Sequence, residues 1–465
     1  MPKTLLIEDA PAAVPPLRGL WLLGPALVAG VAYLDPGNVA SNMTAGAQYG
    51  YLLVWVVVAG NVMAWLIQYL SAKLGVVTGQ SLPEVLGSRL RNRWARRSYW
   101  LQAELVAMAT DLAEVIGGAV ALNLLFNVPL LLGGFITGAV SMILLAVQSR
   151  RGPRPFEFVI IGLMIIIAIG FVAGVFVAPP DPAGVVGGLL PRFEGTGSVL
   201  LAASILGATI MPHAIYAHSA LARDRFGSHP ATRARTRLIR PVRRTRQATP
   251  DRPTHLVEHE TDRPERERAD AAAEIVRTNP GRIRALLTAT RWDVSIAMVI
   301  AGSVNLAILL LAAANLAGVA GTDSLEGAHA ALAAGLGTAV ATLFAVGLLA
   351  SGLASTSVGA YAGAEIMHGL LHVRIPLLAR RLVTLIPALV ILGIGVDPTL
   401  ALVLSQVVLS FGIPFALIPL VVLTAQRRTL GVWANRRWTT AAGVVASVLL
   451  IALNAALLWL VLTGA

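Results

Sequence analysis

The chain has 465 residues, of which 56% are hydrophobic and only 13% charged, with a mean hydropathy of +0.74. A soluble domain is about half apolar and about a quarter charged, so this composition excludes a soluble protein and indicates a surface that faces lipid. Cys is absent, which excludes disulfides, thiolate metal ligands and a cysteine nucleophile. The formal net charge of +12 is compatible with nucleic-acid binding, but the basic residues stand in short clusters between apolar runs, as in a membrane protein.

Eleven apolar runs are each long enough for a helix that crosses the hydrocarbon, which takes about 20 residues. They are too long and too continuous for the alternating strands of a membrane barrel. We therefore predict an all-α integral membrane protein with eleven transmembrane helices. The predicted spans, numbered in chain order, are 19–41, 49–73, 98–124, 127–148, 155–178, 197–222, 292–315, 330–353, 376–396, 399–424 and 438–462.

The basic residues between these spans are concentrated on one side. Arginines crowd the connections 2–3, 4–5, 6–7, 8–9 and 10–11, whereas the opposite side has only Arg192, between spans 5 and 6. Because connections rich in Lys and Arg remain in the cytoplasm, we predict a cell-membrane protein whose N-terminus is cytoplasmic and whose C-terminus is extracytoplasmic. Residues 1–18 then form a cytoplasmic N-terminal tail.

The connection between spans 6 and 7, residues 223–291, separates a first membrane part (19–222) from a second (292–465). It is rich in Arg, Asp, Glu and Pro, which predicts a disordered cytoplasmic loop. It is an interaction arm, a basic segment that lies on anionic lipid, or an insertion with no specific role. Its histidines stand in polar sequence, and we expect no structured metal site at His229, His255 and His259.

The most informative local sequence is the Asp35-Pro36-Gly37-Asn38 motif, which interrupts span 1. A carboxylate in mid-membrane costs about 2.5–3.5 kcal/mol on insertion scales, and Pro with Gly directly after it breaks the helix. The break frees backbone carbonyls that cannot remain bare in lipid. A carboxylate, an amide and free carbonyls at one break predict a cation-binding cluster.

A second interruption, Met211-Pro212-His213, lies in span 6, where Pro212 frees a carbonyl one turn earlier, near Ala208. Spans 1 and 6 are corresponding members of two five-helix halves. Paired interruptions of this kind are the sequence signature of a transporter site near the bilayer midplane. The alternative is a pair of ordinary proline kinks, but a kink needs neither Asp35 nor His213.

The types of metal-ligating atom limit which ions this site would bind. The oxygens of Asp35 and Asn38 would suit Ca²⁺ or Mg²⁺ equally well. Met211 offers a soft sulfur that favours transition metals, although a methionine in an apolar helix is usually a packing residue. A site with one carboxylate and mixed oxygen and sulfur donors suits a labile divalent ion, which binds and then leaves.

Together these two motifs resemble those of the natural-resistance-associated macrophage protein (Nramp) family of proton-coupled divalent metal transporters. The resemblance extends from about Gly24 to Ala425, and includes residues 290–293 and 351–362. It implies a five-plus-five inverted repeat like that of the amino-acid/sodium symporters, with helices 1 and 6 broken and an extra eleventh helix. It also implies import of Mn²⁺, Fe²⁺ or a similar ion with protons, and no permanently bound cofactor. By matching positions, the implied metal ligands are Asp35, Asn38, Met211, Gln406 and the carbonyls of Ala32 and Ala208. The long 223–291 loop departs from the family, which has a shorter link there.

Span 3 carries Glu104, Asp111 and Glu114 on an otherwise apolar segment. At about 100° per residue, Glu104 and Asp111 lie within about 20° of each other, with Glu114 about 60° further round. We expect these carboxylates to pair with Arg380 and Arg381, either as ion pairs that pass protons or as a structural salt-bridge network. For Arg381 the alternative is an arginine that snorkels at a helix end.

The Nramp resemblance also implies a proton route, which starts at Asp35 and follows span 3 toward the cytoplasm. His213, next to the implied ligand Met211, either tunes the site and relays a proton or is a hydrogen-bonded structural residue. His218 has no partner that the sequence identifies, and we assign it no role.

Other functions remain to be separated from metal import. They are an importer of Mg²⁺, which Met211 disfavours, an amino-acid symporter, which the acidic Asp35 disfavours, and a membrane sensor that signals through the 223–291 loop. The sequence lacks HExxH, GxSxG and any thiol, so we predict that the protein is not an enzyme. The expected partners are a divalent metal ion, protons and the lipid bilayer, with no nucleic acid and no protein partner.

Overall fold

The computed structural model describes residues 24–151, 153–226, 280–373 and 376–463. In this part of the chain all regular secondary structure is helical. The predicted tail 1–18 and most of the predicted 223–291 loop, with its three histidines, lie outside the described residues.

The helices, in chain order, are α1 (Pro25–Val31), α2 (Pro36–Tyr49), α3 (Val54–Thr78), α4 (Leu82–Arg89), α5 (Arg93–Phe126), α6 (Leu130–Arg151), α7 (Pro153–Val177), α8 (Pro182–Gly187), α9 (Gly195–Ile210), α10 (Pro212–Phe226), α11 (Pro280–Asn315), α12 (Leu325–Leu336), α13 (Thr338–Leu371), α14 (Leu377–Gly393), α15 (Pro398–Ala425), α16 (Arg427–Leu430) and α17 (Arg437–Thr463). Two short 3₁₀ helices, Ala32–Leu34 and Gly431–Trp433, join α1 to α2 and follow α16.

Seven segments of the described chain are long and apolar enough to cross a membrane: α3, α5, α9 with α10, α11, α13, α15 and α17. Shorter apolar helices lie at Pro25–Leu34, Leu130–Ala146 and Ile161–Val177. Each of the eleven predicted spans falls on one helix, or on two helices separated by a break. The number of spans that cross the bilayer stays a prediction.

The helix bounds differ most from prediction around spans 7 and 8. Helix α11 begins at Pro280, inside the predicted 223–291 loop, because hydropathy detects the apolar crossing and not a polar extension of the same helix. The predicted span 330–353 combines two helices, the end of α12 and the first half of α13. Gly337, with a φ of +92°, separates these two helices. The predicted end of this span at 353 is wrong, because buried Ser351, Ser355 and Thr356 lower the hydropathy of a helix that continues to Leu371.

The centre of the molecule is formed by helices that pack on several partners each. Helix α2 packs against α9 and α11, α3 packs against α10 and α11, and α5 packs against α13 and α15. Their buried faces contribute to one large cluster of apolar side chains, which includes Tyr33, Met43 and Met211. Helix α17 is peripheral: it packs against α15 and α9, and only 28% of its most apolar 18-residue stretch is buried.

Polar side chains tie the helix ends to this centre. The carboxylate of Asp293 in α11 accepts hydrogen bonds from the backbone N–H groups of Gly24 (3.2 Å) and Ala26 (2.9 Å), which satisfies the N-terminus of α1. In the last turn of α10, Arg223 lies 2.6 Å from Glu84 of α4 and 3.1 Å from Glu365 of α13. These contacts hold the helices around the two interruptions described below.

Candidate metal-binding site

The first interruption lies between α1 and α2. After the 3₁₀ turn Ala32–Leu34, Asp35 is extended (φ −68°, ψ 161°) and Pro36 begins α2. The Asp35 Oδ1 atom accepts a hydrogen bond from the Asn38 backbone N–H at 2.8 Å, so its carboxylate caps α2. Because proline lacks an N–H group, it is suited to the first helical position. The motif therefore produces the break through local interactions.

The second interruption lies between α9 and α10. Met211 leaves the helical conformation (φ 14°, ψ 109°) between Ile210, the last residue of α9, and Pro212, the first of α10. Pro212 has no N–H group to donate to the Ala208 carbonyl, which is therefore without its helical donor. The carbonyl end of α9, which favours a cation, meets the N-terminus of α10 at this point.

Gln406 of α15 contacts both interruptions. Its Nε2 atom donates a hydrogen bond to Asp35 Oδ2 at 3.0 Å. A Cβ atom on Gly37 would overlap the Gln406 side chain, and one on Gly207 would overlap the Gln406 backbone carbonyl. The two glycines thus allow α2 and α9 to approach the same residue of α15. The Asp35 carboxylate and the last turn of α9, which contains Ala208, therefore both lie close to Gln406.

The predicted ligands are all buried: Asp35, Asn38, Met211, Gln406, Ala32 and Ala208 are inaccessible to solvent. No ion pair found among the described residues involves Asp35. A buried carboxylate without a cationic partner is costly, so a bound divalent cation would supply the missing charge. The Gln406 Oε1 atom accepts no hydrogen bond from the described residues and is free to act as a further donor to a metal.

Sequence reasoning missed two of the amide side chains that hold the first interruption, those of Asn42 and Asn305. The carbonyl of Tyr33 accepts hydrogen bonds from Nδ2 of Asn38 at 2.5 Å and from Nδ2 of Asn305 at 3.1 Å. Nδ2 of Asn42 donates to Asn38 Oδ1 at 2.6 Å, which orients the Asn38 amide. An uncharged amide in an apolar span is a visible signal, but the Tyr33 carbonyl that Asn305 of α11 contacts is 272 residues away and is not given by local sequence.

A second group of polar contacts surrounds the same break. The Tyr33 hydroxyl accepts a hydrogen bond from Gln68, whose Oε1 atom lies 2.7 Å from Nδ1 of His218. The Ser351 hydroxyl donates to the Leu34 carbonyl. His218, to which the sequence assigned no partner, therefore belongs to a buried chain that leads to the residues preceding Asp35.

The three carboxylates of α5 meet two arginines of α14. Arg380 Nη2 lies 2.9 Å from Glu104 Oε1, and its Nη1 lies 3.3 Å from Asp111 Oδ2. Arg381 Nη1 lies 2.7 Å from Asp111 Oδ1 and 3.1 Å from Glu114 Oε2. Arg381 is fully buried, so it does not snorkel at a helix end. Three carboxylates against two guanidinium groups leave this network one positive charge short.

His213 and Pro36 lie between this network and the interruptions. Nδ1 of His213 is 3.1 Å from the hydroxyl of Thr110, the residue before Asp111. A Cβ on Gly117 of α5 would overlap the Pro36 ring, so α5 packs directly on the residue that follows Asp35. Among the described residues no hydrogen bond joins Asp35 to the network, so the choice between a proton route and a structural network stays open.

Two central broken helices, with a buried carboxylate and a thioether at the breaks, define a helical membrane protein of the transporter class. The family described as natural resistance-associated macrophage protein-like (Nramp) matches residues 26–460, and the chain belongs to this family.

Named relatives agree with this assignment. The divalent metal cation transporter MntH of Mycobacterium tuberculosis is 56% identical over 450 residues, which cover 96% of this chain and 94% of that protein. A crystal structure of the Eremococcus coleocola manganese transporter is similar with a TM-score of 0.75 and 29% identity, covering 96% of this chain and 89% of that one. MhsT, solved in complex with L-phenylalanine, shares the fold alone, with a TM-score of 0.53 and 12% identity over 93% of this chain and 98% of that one.

The family match and these structures confirm the predicted fold class, an all-α membrane protein of the broken-helix symporter type. Because the family and its named relatives are transporters, the prediction that the protein is not an enzyme is confirmed as well.

Proposed function

We propose that this protein imports a divalent transition-metal ion, Mn²⁺ or Fe²⁺, through a site between its two broken helices and couples this import to proton movement. The observation that carries the proposal is the position of Gln406, which donates to Asp35 and packs against Gly207, next to Ala208. The names of the relatives, a divalent metal cation transporter and a manganese transporter, support the choice of cargo.

The proposed ligands combine hard and soft donors. Asp35 supplies the charge, Asn38 and Gln406 supply amide oxygens, and Met211 supplies sulfur. The carbonyls of Ala32 and Ala208 complete the set, because Pro36 and Pro212 have no N–H group to donate to them. The Ala32 carbonyl keeps a 3.3 Å hydrogen bond from the Asp35 N–H group, and a carbonyl has a second lone pair for a metal. Selectivity would come from Met211, since Ca²⁺ and Mg²⁺ prefer oxygen alone.

Metal binding requires the ionised form of Asp35, so it is linked to release of any proton that the carboxylate carries. In the proposed mechanism the proton leaves along α5, past His213 and Thr110 to Asp111 and its ion-pair partners. Alternating access then moves the two halves of the fold around the site. A negative-inside potential contributes about 2.3 kcal/mol per charge per 100 mV, which draws both ions inward without ATP.

The proposed orientation follows from the arginines. The N-terminus lies in the cytoplasm and the C-terminus outside, because the connections rich in arginine stay inside. In this orientation α4, α16 and the ends of α3 and α15 face the cytoplasm, and Asp111 and Glu104 lead from the site toward that side. The lipid bilayer, a metal ion and protons are then the partners of the protein.

The proposal is tested by uptake of Mn²⁺ into liposomes that contain the purified protein, at two external pH values and with competing divalent ions. We expect uptake that is faster at the lower external pH and is abolished by Asp35→Asn, which removes the only charge among the proposed ligand side chains. Asp181→Asn is the matched control, because Asp181 is an exposed N-cap of α8 and asparagine also caps helices. Wild-type uptake by Asp35→Asn would exclude Asp35 as a ligand.

A further inference from the structure

A cavity lies away from the broken helices, at the end of the molecule predicted to face the cytoplasm. Its volume is about 680 Å³, and its walls come from the end of α3, from α4, from the start of α11 and from the α16 segment. Three arginines line it, Arg89, Arg427 and Arg428, and none of its described lining residues is acidic. A concave site whose described wall holds three guanidinium groups and no carboxylate favours an anion.

Of these three arginines, Arg89 stabilises the wall of the cavity, whereas Arg427 and Arg428 are unpaired within the described chain. Arg89 donates from Nη1 to Gln426 Oε1 at 2.8 Å and from Nη2 to Thr429 Oγ1 at 2.6 Å, which fastens the α16 segment to α4. Arg427 and Arg428 are exposed and make no hydrogen bond or ion pair with any other residue that the structure describes. Among the described residues, no other group competes with a ligand in the cavity for these two guanidinium groups.

The start of α11 adds a second source of positive potential. Pro280 lines the cavity and is the first residue of this helix of 36 residues. The N–H groups in the first turn of a helix have no acceptor within the helix, and the helix dipole places partial positive charge there. Phosphate groups bind at such helix ends. The N-terminus of α11 and the arginines therefore both contribute positive potential to this cavity.

The rim of the cavity carries an exposed apolar residue, which is close in sequence to an exposed tryptophan. Val432, which lines the cavity, is 88% exposed, and Trp438 at the start of α17 is 86% exposed. Exposed Trp side chains next to arginines are typical of the membrane interface. A ligand with a phosphate group and an apolar chain would satisfy both the arginines and this rim, whereas free phosphate would satisfy the arginines alone.

We propose that this cavity is a binding site for an anionic phospholipid, whose headgroup phosphate lies between Arg427, Arg428 and the N-terminus of α11 and whose acyl chain lies along Val432. Anionic lipids are concentrated in the cytoplasmic leaflet, the side that the arginine distribution predicts for this cavity. The site is separate from the proposed metal ligands, so the lipid would stabilise the contact of α4 with α16 and α11 and would not enter the transport path.

The test measures thermal unfolding of the full-length protein in a neutral detergent with added short-chain phosphatidylglycerol, short-chain phosphatidylcholine or inorganic phosphate. We expect phosphatidylglycerol to raise the unfolding temperature of the wild type far more than phosphatidylcholine does. In Arg427→Gln/Arg428→Gln we expect about tenfold more phosphatidylglycerol to be needed, since each arginine near an anionic headgroup contributes to its binding. Both residues are exposed, so the double variant keeps the fold.

Arg93→Gln/Arg97→Gln is the matched control. It removes the same charge from exposed arginines at the same end of the molecule, which stand over Trp94 and do not line the cavity. Its response to phosphatidylglycerol should equal that of the wild type. An equal loss in both double variants would overturn the site in favour of a diffuse charge effect, and an unchanged response of Arg427→Gln/Arg428→Gln would overturn it outright.

Two further outcomes would overturn the choice of a lipid as the ligand. Inorganic phosphate that matches the effect of phosphatidylglycerol at equal concentration would show that the cavity binds phosphate alone. A synthetic peptide covering residues 257–270, a stretch with six acidic residues from outside the described chain, that displaces the lipid would identify this chain itself as the occupant.

Discussion

Met211 is the residue on which the choice of cargo depends. It lies at the break between α9 and α10, fully buried, and it belongs to the same apolar cluster as Met43 of α2. Met211→Ala would leave the oxygen donors in place and remove the sulfur. We expect part of the Mn²⁺ uptake to remain while Ca²⁺ and Mg²⁺ become effective competitors, because oxygen ligands suit these ions.

The control for this prediction is Met43→Ala. Met43 is buried to the same degree, so its truncation also costs about 2–5 kcal/mol of stability, but it is not a predicted ligand. Competition by Ca²⁺ is measured in liposomes for both variants. If both variants keep wild-type selectivity, sulfur has no role in the choice of ion.

Asp111 is the residue on which the proposed proton route depends. It accepts hydrogen bonds from both Arg380 and Arg381, so it is the centre of the buried ion-pair network. Asp111→Asn keeps the shape of the side chain and removes the charge. We expect it to reduce proton flux more than metal flux, measured with a pH-sensitive dye and with Mn²⁺ uptake in the same liposomes.

A structural role of Asp111 gives a different result. The substitution leaves two carboxylates against two arginines, but it removes the charged acceptor that both arginines share, and breaking a buried ion pair destabilises a protein by about 3–5 kcal/mol. A large fall in the unfolding temperature, with both fluxes reduced in equal proportion, would assign Asp111 to stability and not to proton movement.

At the scale of elements, the approach of α2 to α15 depends on Gly37. Alanine in a helix is about 1 kcal/mol more favourable than glycine when nothing obstructs it. At Gly37, however, the added Cβ would overlap the side chain of Gln406 and displace it from Asp35. We therefore expect Gly37→Ala to abolish Mn²⁺ uptake while the protein still inserts and folds.

Gly162→Ala in α7 is the matched control, because no heavy atom of another residue lies within 4 Å of the added Cβ. It should transport at the wild-type rate and be equally or more stable. Uptake by Gly37→Ala at the same rate would mean that Gln406 need not stay beside Asp35 during transport.

At the scale of the whole molecule, the described helices pack against one another, and the connection 227–279 is not among the described residues. Replacement of residues 230–275 by a flexible Gly/Ser linker of about 20 residues distinguishes a transporter from a sensor that signals through this connection. A transporter should keep its Mn²⁺ uptake, because every proposed ligand and every member of the ion-pair network remains. A folded variant without uptake would favour a sensor or a regulatory arm.

Part of this structure was predictable because it rests on local chemistry. The absence of charge over long runs predicts membrane helices, and the Asp-Pro-Gly-Asn and Met-Pro-His motifs predict breaks, because proline removes a donor wherever the helix lies. The acidic stripe of α5 was visible from its spacing. By contrast, the bounds of α11 and α13 were not predictable from hydropathy, since a helix continues wherever its backbone is satisfied, in water or against protein as well as in lipid.

The sequence by itself determined that the chain is a helical membrane protein of the Nramp family with two broken helices. Long apolar runs specify membrane helices, and each motif breaks its helix through residues that are next to one another in the chain. Only the tertiary structure decided that Gln406 contacts both breaks, that Asn305 holds the first of them, and that Arg381 is buried against α5. These contacts join residues far apart in the chain. Their geometry depends on how whole helices pack, and that packing is a property of all the side chains together.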